Sequence, residues 1–364
     1  MSSPLRTETS SPSPDATTNP AEISIRVCGP GDRDAWDGYL AAHPGASFYH
    51  LYDWLPLNEQ VLKHRSFYLM ARDANGIRGV LPLTLVSSRL FGRILCSVPF
   101  VNYGGPCASD AAANQALLEA AKLKARELGC DYLELRCAAA LETDMPVSHR
   151  KISMTLELQA DPDAVWDAFG SKHRKNIKRS FKNDLTVVSG GIELLPQFYS
   201  LMEESWRALG TPLYSRTYFE NFLKTFEGRS RIFVCMQRDQ PVCTGLTGYF
   251  NKTVEGLWAG GNALARPLSA NYALYWEMIK DGCLRGCSKF HLGRSTADSG
   301  GEEFKQKWNA SSQQLHWYFH RPDGGAMPAL NVDNPKYQLA ISAWRRLPLW
   351  STRMLGPPLA RLIP

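Results

Sequence analysis

Two stretches decide the fold: "ANQALLEAAKLKARELGCDYLELR" at residues 113–136 and "ANYALYWEMIKDGCLRGCSKFHLGR" at residues 270–294. At a constant offset of 157 they share Ala, Asn, Ala, Leu, Gly, Cys and Leu. Both read as a helix, a glycine-containing break and a short strand. A period of that size is too long for a solenoid and is the size of a domain. Similar signals lie upstream of each copy. Residues 67–88, "FYLMARDANGIRGVLPLTLVSS", place two apolar runs around Asn75-Gly76, a strong hairpin turn. Residues 231–261, "RIFVCMQRDQPVCTGLTGYFNKTVEGLWAGG", read as three strands with turns at 239–241 and at Asn251-Lys252. The expectation is a mixed α/β (α+β) chain of two similar tandem domains, 21–160 and 161–320. A Ser/Thr/Pro-rich segment at 1–20 reads as disordered, and a basic, apolar tail occupies 321–364.

The bulk numbers agree with two packed domains. The chain has 364 residues, 44% of them hydrophobic, and a formal charge of only +6. Charge therefore matters where it clusters. Nine cysteines contain no CxxC pair, and residues 1–20 have no apolar core of the secretory type. The reading is a cytoplasmic protein with buried thiols and, with no run of 18 apolar residues, no transmembrane helix.

The sharpest charge cluster is "SKHRKNIKRSFKN", residues 171–183, with six cations and no acid until Asp184. Asp161-Pro162 is a helix start, Gly170 an interruption and Ser171 a second cap. At about 100° per residue, Lys172, Arg174, Lys175, Lys178, Arg179 and Lys182 fall within an arc of roughly 160°, with Ile177 and Phe181 opposite as anchors. Without acids at i±4 the cations repel, so the face suits a polyanion better than water alone. A sugar-nucleotide pyrophosphate, a transfer-RNA backbone, a coenzyme diphosphate and lipid head groups all fit the sign.

The densest polar constellation follows the second-copy strand at 289–309: His291, Arg294, Ser295, Asp298, Glu302, Glu303, Lys305 and Lys307 around a flexible Ser299-Gly300-Gly301. Loops beyond the carboxyl ends of strands are where α/β folds build sites. Acids to take a proton from an attacking amine, and a cation to hold an oxyanion, suit acyl transfer. An ordinary charged loop running into a helix fits the composition equally. If the stretch is extended, Lys307 faces away from Lys305. His316 and His320 lack a third ligand nearby, so no metal is expected. In the tail, "WRRLPLWSTRMLGPPLARLIP" mixes apolar residues with Arg345, Arg346, Arg353 and Arg361. Pro348, Pro357 and Pro358 should cut it into short pieces that lie either on an anionic membrane or on the body.

With these motifs in hand, the chain resembles the FemAB-like family of the GNAT-fold superfamily, in its branch associated with exosortase/PEP-CTERM and exopolysaccharide systems. The resemblance spans residues 23–364. It rests on "FYHLYDW" (48–54), "VLPLTLVSSRLFG" (80–92), "VNYGG" (101–105), "SKHRKNIKRSFK" (171–182), "LGTPLYSRTYFE" (209–220), "FHLGRS" (290–295), "FKQKW" (304–308) and "NPKYQLAISAWRRLPL" (334–349). It implies two tandem GNAT-like acyltransferase domains and metal-free transfer of an acyl or aminoacyl group to an amine of a cell-envelope or exopolysaccharide precursor. Phe304 and Lys305 match the family's Phe-Lys pair at the transfer site, while Trp308-Asn309 replaces its closing Phe-Gly. Relatives that use acetyl-CoA carry R/QxxGxG/A; here "ARPLSANY" (265–272) keeps Arg266 without the glycines. The resemblance thus implies aminoacyl-tRNA or acyl-CoA as donor. Lys305 stabilises donor or oxyanion, and the basic helix with Arg294 and Arg266 holds phosphates. Asp298, Glu302 and Glu303 are the candidate proton acceptors. Two rivals are an acetyl-CoA-dependent N-acetyltransferase of amino sugars and a non-catalytic RNA- or membrane-binding assembly factor, with peripheral contact at the inner membrane.

Overall fold

A computed structural model describes residues 22–88, 91–297, 299–325 and 335–363. Segment 1–20 and Asp298 lie outside the described residues.

The two repeats take equivalent places. In the first half, helix Ala111–Glu127 crosses between the parallel strands Gly92–Cys96 and Tyr132–Cys137. In the second half, helix Ala270–Leu284 crosses between the parallel strands Thr253–Gly261 and Lys289–Thr296. Each helix is needed because parallel neighbours cannot be joined by a tight turn. The registers correspond as well: Cys96 stands opposite Glu134 in one half and Glu255 opposite His291 in the other.

The expected hairpins form. Leu69–Asp73 pairs antiparallel with Gly76–Leu81, with Gly76 at φ +131° in the turn. Ser230–Gln237, Gln240–Phe250 and Thr253–Gly261 make the three-stranded run, turned by Asn251 and Lys252 in the left-handed region.

Two strands cross the expected boundary at 160. Lys151–Glu157 belongs to the seven-stranded second sheet, between Lys289–Thr296 and Ser311–Gln314. His316–His320 returns to the first half, where it pairs with Tyr132–Cys137 and Val147–Ser148. The boundary at 160 follows the repeat and the Asp161-Pro162 helix start, whereas strand assignment follows which sheet edge has unpaired backbone groups to offer. An apolar core also joins the halves, with Phe48, Tyr49, Trp54 and Tyr103 packed among Phe198, Tyr218, Phe222 and Trp258.

The basic helix spans Ser171–Phe181. Gly170, not Ser171, occupies its cap position, and no side chain caps it. Its inward face is His173, Ile177 and Ser180. Phe181 lies at the rim and is 37% exposed, because the i, i+4, i+7 stripe that meets the core starts at His173. His173 brings an aromatic edge against Phe169, Tyr272 and Trp308.

The tail forms two helices, Pro335–Arg346 and Leu349–Ala360, packed on helix Leu195–Leu209. Pro348 separates them as expected. Pro357 and Pro358 instead sit inside the second helix. The carbonyls they leave without an i+4 donor belong to Arg353 and Met354, both solvent-exposed, where water can serve.

Candidate functional site

Strands Thr253–Gly261 and Lys289–Thr296 pair only at Thr253–Lys289, Val254–Phe290 and Glu255–His291. Beyond that point they separate. The cause lies in their outer ladders. Against Gln240–Phe250, Leu257 is an extra residue between Gly256 and Trp258. Against Lys151–Glu157, the register shifts between Ser153 and Thr155. A bulge bends and twists its strand, so bulges on both sides pull the pair into a fork. Two glycines line its opening: a Cβ on Gly256 would stand 3.0 Å from the His291 carbonyl, and one on Gly293 (φ +81°) 3.2 Å from the Gly256 carbonyl.

The fork opens into a cleft of about 460 Å³ bounded by Gly256–Ala259, Leu292–Arg294, Tyr49, Asn102 and Lys305. A second cleft of about 400 Å³ lies beyond the fork's apex, bounded by His50, Tyr103, Ser153, Lys289, His291 and Gln313. Glu255, at the last paired position, lines the second cleft, and its neighbour Gly256 lines the first.

Glu255 is 1% exposed. Tyr103 donates to its Oε1 at 2.8 Å, and His291 Nε2 lies 4.0 Å away. Oε2 has no hydrogen-bond partner among the described residues, and neither has the buried Ser153 hydroxyl in the same cleft. Burial lifts the Glu255 carboxyl to about 8, against the opposing pull of the Tyr103 and Tyr49 hydroxyls. His291 is held at about 4 by burial and by Lys289, so it is neutral at pH 7. Thr155 Oγ1 lies 2.6 Å from His291 Nδ1 and fixes the ring. A buried carboxyl poised near neutrality, in a residue that lines a cleft, can accept a proton from an incoming amine.

The sequence-derived candidates divide. Lys305 lies on helix Gly300–Gln306 and lines the first cleft. Its Nζ donates to the carbonyls of Gly293 and Arg294, both at 2.9 Å, leaving one of three N–H groups for a ligand. Burial and the Arg294 charge bring its ammonium down to about 8. Lys307 caps the same helix and is exposed; the stretch is helical, not extended. Arg294 lines the cleft too, stacked over Trp317 at 5.4 Å and lowered to about 10, chiefly by burial. Phe304 packs against Tyr272 and Tyr275 and braces the helix that carries Lys305.

Glu302 and Glu303 line neither cleft. Glu302 accepts from Gln306 Nε2 at 3.0 Å, and Glu303 is exposed. They follow the N-cap Ser299, where acids serve the helix terminus. Glu255 was missed because a single acid within "TVEGLWAGG" gives no periodic signal. Only the strand register brings it to the apex.

The cations of the basic helix face solvent. Lys172, Lys175, Lys178, Arg179 and Lys182 are exposed, and Arg174 is half-buried beside Asp167 at 3.5 Å. The helix ends beside the loop that enters helix Ala270–Leu284. Arg179 Nη2 donates to Ser269 Oγ at 3.3 Å, and Asn183 Nδ2 to the Leu268 carbonyl at 2.9 Å. Exposed Arg266 sits in that loop. The charge therefore gathers around the amino end of the fork's crossover helix, where anions are favoured.

The first half has the same parallel pair, with different residues at its end. A buried Glu134–Arg136 ion pair at 2.6 Å stands there, Cys96 Sγ lies 3.7 Å from Glu134, and Arg136 stacks over Trp317.

Residues 171–306 match the family described as Acetyltransferase (GNAT) domain. Among solved structures, the chain is similar to FemX: 13% identity, 87% of this chain and 100% of that one, TM-score 0.62. It is also similar to a tandem GNAT protein from the clavulanic acid biosynthesis pathway (12% identity, 84% and 100%, TM-score 0.53). A third is the C-terminal domain of a putative lysylphosphatidylglycerol synthetase from Agrobacterium fabrum (11% identity, 79% and 91%, TM-score 0.55). No curated protein matches the sequence. At these identities the structures speak for the fold, which is a pair of tandem GNAT-like domains. The domain match over residues 171–306 and the fold support an acyltransferase.

Proposed function

We propose that the chain forms an amide bond, moving an acyl group from a phosphate-bearing activated donor of the acyl-CoA class to an amine of a cell-envelope or polysaccharide precursor. The observation that carries this is the seat of Glu255 at the fork's apex, between two clefts, with one carboxyl oxygen unpartnered. The donor's acyl arm lies in the fork and its phosphates lie against Arg266, Arg179 and the neighbouring cations. The acceptor amine enters through the second cleft, toward Glu255 Oε2 and Ser153 Oγ.

In the transfer step the neutral amine attacks the acyl carbonyl carbon, the new C–N bond forms and the bond to the donor's sulfur breaks. The amine proton passes to the Glu255 carboxylate. Negative charge gathers on the carbonyl oxygen in the transition state, and the remaining N–H of Lys305 is the fixed donor for it. Burial makes both groups effective, because a charge is stabilised more strongly where water is excluded.

Likeness to FemX and to a lysylphosphatidylglycerol synthetase domain supports an envelope precursor as acceptor. The extent of the basic face favours a second donor, aminoacyl-tRNA. Six cations over residues 172–182 exceed what one diphosphate occupies and would suit a polynucleotide backbone. The test is to incubate purified chain and envelope extract with labelled acetyl-CoA and, separately, labelled aminoacyl-tRNA. Stable amide-linked label from acetyl-CoA is expected. Label from aminoacyl-tRNA alone would replace the donor, and label from neither would contradict acyl transfer.

A further inference from the structure

From Asn334 to Pro364 the sequence contains no Asp or Glu, yet it carries Lys336, Arg345, Arg346, Arg353 and Arg361. Helix Leu349–Ala360 buries Ser351, Thr352, Gly356 and Ala360. Gly356 is a close-contact point, since a Cβ there would stand 3.1 Å from the Leu213 carbonyl. Arg353 pins the helix through a bidentate pair with the buried Glu203, at 2.6 and 2.7 Å. The docking leaves the opposite face outward. Trp350 (68% exposed), Met354 (64%), Pro358 and Arg361 follow one another at i, i+4, i+8 and i+11. Leu355 and Ile363 flank that stripe, and Arg346 is exposed at the preceding turn.

We infer that this face is a docking surface for an anionic phospholipid bilayer. An exposed tryptophan and methionine between arginines, with no acid in the segment, match the chemistry of an anionic lipid interface. The rings and thioether enter the head-group boundary while guanidiniums meet phosphates. A soluble protein partner of ordinary composition would leave the unbalanced positive charge without a specific counter-ion. The preceding helix of the tail touches the rim of the first cleft. Arg345 donates to the carbonyl of Leu209 at 3.3 Å, and Leu209 is itself exposed and lines the first cleft. The inference stands whether or not the transfer chemistry proposed above is correct.

The test is co-sedimentation of the full chain with vesicles of 30% phosphatidylglycerol in phosphatidylcholine and with phosphatidylcholine alone. Binding to the anionic vesicles is expected, falling steeply with added salt, with little to the neutral ones. Arg346→Glu with Arg361→Glu should weaken binding by thirtyfold or more, at about fivefold per basic residue removed. Trp350→Ala with Met354→Ala should weaken it about tenfold. Both variants should keep the wild-type circular dichroism and melting temperature, since the substituted side chains are exposed. No binding to anionic vesicles, equal binding to neutral ones, or wild-type binding by both variants would overturn the inference. So would a concentration-dependent dimer abolished by Trp350→Ala, which would make the face a contact between copies of the chain.

Discussion

Burial, not position in a motif, is what arms the side chains at the fork. Lys305 becomes a usable donor because two carbonyls hold two of its N–H groups and leave the third. Lys305→Ala should lower kcat a hundred- to a thousandfold, the usual loss for one oxyanion donor, with donor binding little changed and a stability loss of about 1–3 kcal/mol from the two carbonyls it releases. Lys307→Ala, exposed at the end of the same helix, should be mild; equal small losses in both would remove Lys305 from the chemistry. Glu255 also leaves a thermodynamic mark. Its carboxyl is lifted from an ordinary value of 4.5 to about 8, so between those values the folded chain holds a proton that the unfolded chain has lost. Its contribution to stability is therefore full below pH 4.5 and is lost as pH rises through 8. Glu255→Gln should flatten that part of the melting-temperature profile; an unchanged slope would mean the carboxyl is not lifted.

Elements decide whether such residues meet. The basic helix keeps its cations outward and ends beside the entry to the crossover helix. Lys175→Glu with Arg179→Glu should weaken donor binding and reduce its salt dependence, with circular dichroism unchanged. Wild-type affinity would return the helix to a solvated surface. The repeats, the hairpins and the basic face were legible because each rests on a local period or a turn pair. Lys305, picked out by its Phe-Lys neighbourhood, lines the first cleft. Glu255 was not legible, since its role depends on a ladder that stops at His291 and on bulges in two flanking strands. Phe181 misled for a related reason: helical period gives a stripe, and the crossover helix Ala270–Leu284 beneath selects which edge of it is buried. Two strands cross the boundary at 160 because neither a repeat nor a helix start carries a trace of which sheet a flanking strand joins.

At the scale of the molecule, the halves are interlaced. Strand Lys151–Glu157 lies in the second sheet and His316–His320 in the first, and an aromatic core crosses between them. The chain should unfold in one cooperative step. Tyr318→Ala, which removes a buried ring in the returning strand, should cost about 3 kcal/mol in denaturant titrations without splitting the transition. Two separated transitions would show halves that fold alone. Interlacing also explains why the site draws on both halves: Tyr103 comes from the first and holds Glu255 of the second at 2.8 Å. The central claim is that Glu255, so held, takes the proton from the acceptor amine. The most direct measurement is the pH profile of kcat/KM from pH 5.5 to 9.5 for the wild type and for Glu255→Gln. Wild-type activity should be bell-shaped, rising as Glu255 loses its proton and falling as Lys305 loses its own, both near 8, and the variant should lose a hundredfold or more and the rising inflection with it. A variant that keeps both the rate and the inflection would contradict the account.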